Sequence, residues 1–213
     1  MIDPAAITLT DFLTTWYGPP SRDAAPLPPA AGWLPGPLRE WHSLASRRDV
    51  PLTYMNSMIE PERIRPGDDG KVIFMVDATA DWRWAFDVAD PESVFDAELY
   101  EPWSRSSERL GRLLVHNAVR ETVCGAPAGL RALDFPDEAL PDLLAPVEEV
   151  AFGAWSWPGP GYRLFLSDDV LVEIVRYGMG WAVEVAAREP SALAGFERIP
   201  GTNWRVRHSG FPM

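Results

Sequence analysis

Residues Lys71–Val88, KVIFMVDATADWRWAFDV, decide how this chain is to be read. Lys71 to Val76 is a nearly continuous apolar run of strand length. From Trp82 to Val88 the residues alternate: Trp82, Trp84, Phe86 and Val88 fall on one face, and Arg83, Ala85 and Asp87 on the other. A period of two is the mark of a half-buried strand. The segment Asp77 to Asp81 between the two runs suits a hairpin loop, so an antiparallel pair is predicted here.

Before the hairpin the pattern is helical. Thr8 or Thr10 can cap a short helix that carries Phe12, Leu13 and Trp16 on one side, and Gly18-Pro19-Pro20 stops it. Gly18 to Ala31 is rich in Pro and Ala and reads as a surface connection. A second helix begins at Gly36, with Pro37 in the first turn, where a missing N–H is harmless, and with Leu38, Trp41, Leu44 and Ala45 as its apolar stripe. After the hairpin, Ser104 or Ser106 is expected to cap a longer helix to about Val123, with Leu110, Leu113, Leu114 and Ala118 inward and a Glu108–Arg112 pair outward. Leu130 to Pro146 is acidic and proline-punctuated, with room for one short helix.

The C-terminal third reads as a meander of Tyr162–Leu166, Val170–Arg176 and Trp181–Ala187, joined by short turns that imply antiparallel pairing. Helices early and strands late place the chain in the α+β class, with a mixed, largely antiparallel sheet and helices packed on it. At 213 residues, one domain is the expected count, with the C-terminal antiparallel meander over about 150–213.

Composition narrows the function. There are 31 acids against 19 bases, a net charge of −12, which opposes nucleic acid and anionic membranes and favours basic partners. The single Cys124 excludes an intramolecular disulfide and CxxC sites, and it reads as a buried structural thiol. Without a basic, apolar leader or a long apolar run, the expectation is a soluble, cytoplasmic protein. None of His42, His116 and His208 stands at ligand spacing from another histidine or from the cysteine, so neither a metal nor a cofactor is expected. His116 shares helical register with Arg112 and Arg120 and reads as part of an exposed polar stripe. No GxSxG, HExxH, P-loop or GxGxxG is present. Carboxylate pairs such as Asp77 with Asp81 or Asp87 with Asp90 leave a hydrolase as an alternative, but their spacing is what a hairpin loop and a strand end produce without chemistry. No catalytic residue is assigned.

The acids are unevenly spread. Glu60 to Glu101 holds twelve acids and four bases, and Asp134 to Glu149 holds six acids and no base. The plain explanation of such runs is solubility. In the first run, however, acids are interleaved with Phe95, Tyr100 and Trp103, and aromatic anchors in a charged rim suit a protein interface. The expected partner-binding residues are Asp77, Asp81, Asp87, Asp90, Glu92, Asp96, Glu98, Tyr100, Glu101 and Trp103.

Several of these segments resemble the SUKH superfamily, which includes fungal Smi/Knr-type cell-wall regulators and bacterial immunity proteins. The resemblance is carried by Trp33-Leu34-Pro35 before Pro37-Leu38-Arg39-Glu40-Trp41, by Trp84-Ala85-Phe86-Asp87 in the second hairpin strand, by the Asp90-Pro91 step, and by Leu110 to Val119. It covers about 34–126 of the chain, and the turn Arg47-Arg48-Asp49 stands where the family often has glycine. What it implies is a helix-flanked sheet without catalysis, and, for bacterial members, binding and neutralising a toxin, often a nuclease, encoded nearby. A basic nuclease would suit the acidic surface; a regulatory adaptor of the Smi/Knr type is the alternative.

Overall fold

The computed structural model describes residues 1–157 and 159–208; Pro158 and residues 209–213, at the end of the expected meander, lie outside the described residues. The chain is α+β, and its strands divide between two antiparallel sheets. It gathers into two compact units, one of Ile7–Glu121 and one of Met1–Ala6 with the chain from Thr122 onward.

In the first unit, helix α1 (Leu9–Tyr17) starts at Thr8, whose hydroxyl accepts the Asp11 N–H at 3.1 Å and donates to the Asp11 carboxylate at 2.7 Å. This reciprocal cap satisfies an amide that the first helical turn leaves unpaired. Leu9, Phe12, Leu13 and Trp16 form its buried stripe, and Gly18 ends it at φ 78°. Helix α2 (Gly36–Ser46) has Pro37 in its first turn and buries Leu38, Trp41 and Leu44. Both helices follow from the periodicity.

The hairpin forms as expected, and two further strands follow it. Strands β1 (Asn56–Met58), β2 (Lys71–Asp77), β3 (Trp82–Asp87), β4 (Ser93–Glu98) and β5 (Ser104–Arg109) make a five-stranded sheet in simple meander order. A bulge between Ile73 and Met75 puts Phe74 and Met75 side by side as buried residues, which is why β2 reads as an unbroken apolar run rather than an alternation. Val72, Phe74, Trp84, Phe86 and Val94 are all buried, and Phe86 packs against Phe74 and Trp33 at ring separations of 6.4 and 6.1 Å. On the opposite face, the Lys71 ammonium lies 4.2 Å from the Phe95 ring centre and the Arg83 guanidinium 4.4 Å from Trp103.

The structure corrects the expected start of the long helix. Ser104–Arg109 is strand β5, paired with β4 through Phe95↔Arg105 and Asp96↔Ser104, and helix α3 runs only from Leu110 to Gly125. Ser and Glu in the pattern of a helix cap invite the helical reading. An open β4 edge with unpaired amides overrides that local preference. Glu108 therefore does not lie on an outer helix face; it is 3% exposed.

In the second unit, strands β6 (Ala128–Phe135), β7 (Glu148–Glu149), β8 (Arg163–Leu166), β9 (Val170–Tyr177), β10 (Gly180–Ala187) and β11 (Arg205–His208) form a sheet in the order β11-β6-β10-β9-β8-β7. Short helices α4 (Leu140–Leu144) and α5 (Ala194–Glu197) accompany them. The predicted meander is β8-β9-β10. Strand β6, read from sequence as part of an acidic connection, lies between β10 and β11. Leu130, Ala132 and Phe135 join Val172, Ile174, Val183, Val185 and Phe196 in its core. Gly180 is required by the close approach of β6: a Cβ there would sit 2.6 Å from the Phe135 carbonyl oxygen.

Candidate functional site

The ten residues expected to bind a partner all lie on the five-stranded sheet or its loops, but they are not one surface. Strand direction separates them. The β2–β3 loop and the β4–β5 loop share one end of the sheet, while Asp87, Asp90 and Glu92 lie at the other. The length of β3 places the ends roughly 17 Å apart.

Five of the ten are engaged in holding the fold. Asp77 is 6% exposed and brackets the hairpin, accepting the Trp82 N–H at 2.8 Å and the Thr79 hydroxyl at 2.7 Å. Burial works against its charge, but these donors outweigh burial and hold its carboxyl below the ordinary aspartate range. Asp96 is 8% exposed, and there burial wins over the Trp82 indole, so its carboxyl is pushed up. Asp87 receives the Lys71 ammonium at 2.7 Å and the Ala89 N–H at 2.8 Å, and Lys71 is the main cause of its lowered pKa. Asp90 accepts the Ser93 hydroxyl at 2.5 Å, and Ser93 in turn accepts from Arg105 at 2.7 Å. The Trp103 indole donates to Asp69 at 2.8 Å while its ring lies under Arg83, which makes it part of the sheet's own cover rather than an open anchor. Of the carboxylates weighed for hydrolysis, Asp77 and Asp87 are both held below the ordinary aspartate range by the donors around them.

Four of the ten converge at the β2–β3/β4–β5 end and face water: Asp81, Glu98, Tyr100 and Glu101. The two loops are joined by the Leu99 N–H on the Asp81 carbonyl at 2.6 Å. Arg83 ties the second loop down by donating to the Glu101 carbonyl at 3.1 Å. Glu98 to Glu101 is a four-residue turn closed by the Glu101 N–H on the Glu98 carbonyl at 3.0 Å, with Tyr100 third in the turn. Tyr100 has φ 73° and is 90% exposed. A left-handed conformation is favourable for glycine and strained for tyrosine, so the turn holds an aromatic ring out in water at an energetic cost. Asp81, Glu98 and Glu101 are exposed in the same pair of loops. Glu92 sits half-buried at the far end.

Sequence reasoning missed a buried polar cluster on α3. His116, expected in an exposed stripe, is 1% exposed, and its Nδ1 lies 2.9 Å from the Glu108 carboxylate. Burial drives the imidazole pKa down against the opposing pull of Glu108, so His116 is neutral at pH 7. Glu121 accepts three successive backbone N–H groups, from Tyr54, from Met55 at 2.8 Å and from Asn56 at 2.8 Å, and thereby fixes the start of β1. Burial raises the Glu121 pKa, partly offset by those amides. The Asn56 side-chain amide donates to Asn117 at 2.7 Å. The signal available in sequence was the absence of a clean apolar face on α3, whose polar residues are spread around the helix.

Cys124 is half-buried near the end of α3. Among the described residues, no group of three or more His, Cys, Asp or Glu side chains is placed to hold a metal ion, and no helix is long and apolar enough to cross a membrane. Compared with protein-family models, curated proteins and solved structures, the chain finds no match.

Proposed function

We propose that this chain is a non-catalytic binding protein that docks a basic protein through the β2–β3/β4–β5 end of its five-stranded sheet. In this reading it is an immunity-type inhibitor of a basic, nuclease-like toxin encoded nearby. The observation that carries the reading is Tyr100: an aromatic 90% exposed and held at positive φ, in a pair of loops that also exposes Asp81, Glu98 and Glu101. Aromatic anchors supply contact area at low entropic cost, and like charges around them steer an oppositely charged partner. The SUKH resemblance and the net charge of −12 point the same way.

The test is direct association, by titration calorimetry, with the basic protein encoded beside this chain. Binding is expected at low salt and weakened as salt rises. The triple reversal Asp81→Lys, Glu98→Lys, Glu101→Lys is expected to abolish it. If the wild-type chain and its basic neighbour fail to associate at low salt, or if the reversal binds as well as wild type, this reading fails.

A further inference from the structure

A cleft of about 570 Å³ lies in the same unit, sharing no residue with the sheet-end surface. Its volume is within the range of small-ligand sites. One wall is α2, through Trp41, His42 and Ser46; a second is β1 and the turn after it, with Met58, Glu60 and Glu62; the third is the strap 25–28. That strap belongs to the proline-rich segment that reads as a mere connection in sequence.

The strap is held in place rather than lying loosely. Arg22 donates from Nε to the Ser46 carbonyl at 2.7 Å and from Nη2 to the Arg48 carbonyl at 2.8 Å, and its Nη1 is 3.1 Å from the Asp49 carboxylate. The Ala25 N–H then donates to the Ser46 hydroxyl at 3.0 Å, and the Ala31 N–H closes the far end on the Pro28 carbonyl at 2.8 Å. A cleft with a fixed third wall is preorganised, which lowers the entropic cost of filling it.

Its chemistry is one-sided. Glu60 and Glu62 are the only formally charged residues lining it, and among the described residues no lysine or arginine does. His42 adds no positive charge at pH 7, because burial lowers its pKa further than Glu62 raises it. Its Nε2 is out of contact with water and without a hydrogen-bond partner, an acceptor or donor that the protein leaves unmatched. The strap contributes acceptors in preference to donors: Pro26 and Pro28 have no N–H, and that of Ala25 is taken by Ser46. Leu27, Leu52 and Met58 supply apolar surface. Acceptors and carboxylates beside a few apolar side chains disfavour anions and suit a donor-rich cation on an aliphatic stem.

We infer that the cleft between α2, β1 and the strap 25–28 binds an alkylammonium or alkylguanidinium group. Such a group comes either as a free polyamine or as a basic side chain of a peptide. The inference is independent of the sheet-end reading: a chain that fails to bind small cations could still dock a protein at Tyr100, and the reverse.

The experiment titrates the full chain by calorimetry with spermidine, with a capped Leu-Arg-Leu tripeptide, and with glutarate as the anionic control. At least one cation is expected to saturate with Kd below about 1 mM, and glutarate is expected not to bind. Saturation by spermidine alone identifies the free polyamine as the source, and by the tripeptide alone a basic side chain. Glu60 and Glu62 are exposed, so the double variant Glu60→Gln, Glu62→Gln should fold normally by circular dichroism while weakening cation binding about tenfold. Ala45→Leu, which narrows the cleft from the α2 wall, should weaken it as well. Absence of saturation by both cations, equal binding of glutarate, or unchanged affinity in the double variant overturns the inference.

Discussion

Replacing Tyr100 with glycine should make the free protein more stable and the bound complex weaker. Tyr100 sits at φ 73° in the turn Glu98–Glu101, where an L-residue with a side chain pays about 1–2 kcal/mol that glycine does not. Glycine also loosens the unfolded chain, which takes back about 0.4–1 kcal/mol. Because the side chain is 90% exposed, its removal forfeits almost no buried area. The balance is a stabilisation of about 0.5–1 kcal/mol. With a urea slope near 2 kcal/mol/M, the unfolding midpoint should rise by about 0.3–0.5 M, followed by circular dichroism and by tryptophan fluorescence. Tyr100→Ala keeps the positive φ and should move the midpoint little. Tyr100→Gly is then expected to reduce affinity for the basic partner in spite of the gain. A midpoint that falls on substitution by glycine would refute the strain argument, because it would mean that the exposed ring makes stabilising contacts of its own.

Glu121→Ala should destabilise by about 3 kcal/mol, since it strips the acceptor from three backbone amides at Tyr54, Met55 and Asn56, and amide exchange at those positions should accelerate selectively. Charge reversals should divide by location: Asp87→Lys sets a second ammonium against Lys71 and Asp96→Lys buries a charge, so both should unfold more easily, whereas Glu98→Lys and Glu101→Lys should stay within about 0.5 kcal/mol of wild type. Acidification should be destabilising through His116. Its folded pKa lies below the ordinary 6.5, so the unfolded state binds more protons below that value, and its contribution is complete above pH 6.5 and lost as pH falls. Glu121, with a raised folded pKa, acts in the opposite sense, so the His116 effect is read as the difference between wild type and His116→Gln in urea titrations between about pH 5 and 7.

What the sequence disclosed follows from where local pattern and tertiary demand agree. The hairpin Lys71–Asp87, the Thr8 and Pro37 helix starts and the β8-β9-β10 meander are each written as an apolar run or stripe bounded by turn or cap residues, so local sequence and tertiary burial select the same element. Strand β5 was illegible because Ser104–Arg109 carries polar residues that a helix cap would also use, and only the open edge of β4 selects the strand. Strand β6 was obscured by Asp134 at φ 57°, which breaks the alternation just before Phe135. The site was half legible. Counting carboxylates located the acidic sheet, but a count does not distinguish Asp77, whose oxygens close a hairpin, from Asp81, whose side chain is exposed.

That distinction changes what the net charge can do for binding. At physiological ionic strength a charge is screened over about 8 Å, and the two ends of the sheet are roughly twice that distance apart. Acids at the Asp87–Glu92 end therefore add little to the field at Tyr100, and they are in part neutralised by Lys71 and Arg105. A partner arriving at the sheet meets two separate acidic ends rather than one continuous acidic face. The end formed by the β2–β3 and β4–β5 loops combines exposed carboxylates with an aromatic that is 90% exposed. Steering and anchoring coincide there, so reversing Asp81, Glu98 and Glu101 should slow association, whereas removing the Tyr100 ring should chiefly speed dissociation. Stopped-flow kinetics separates the two. Equal effects of both changes on the association rate would mean that Tyr100 acts at encounter and not as an anchor.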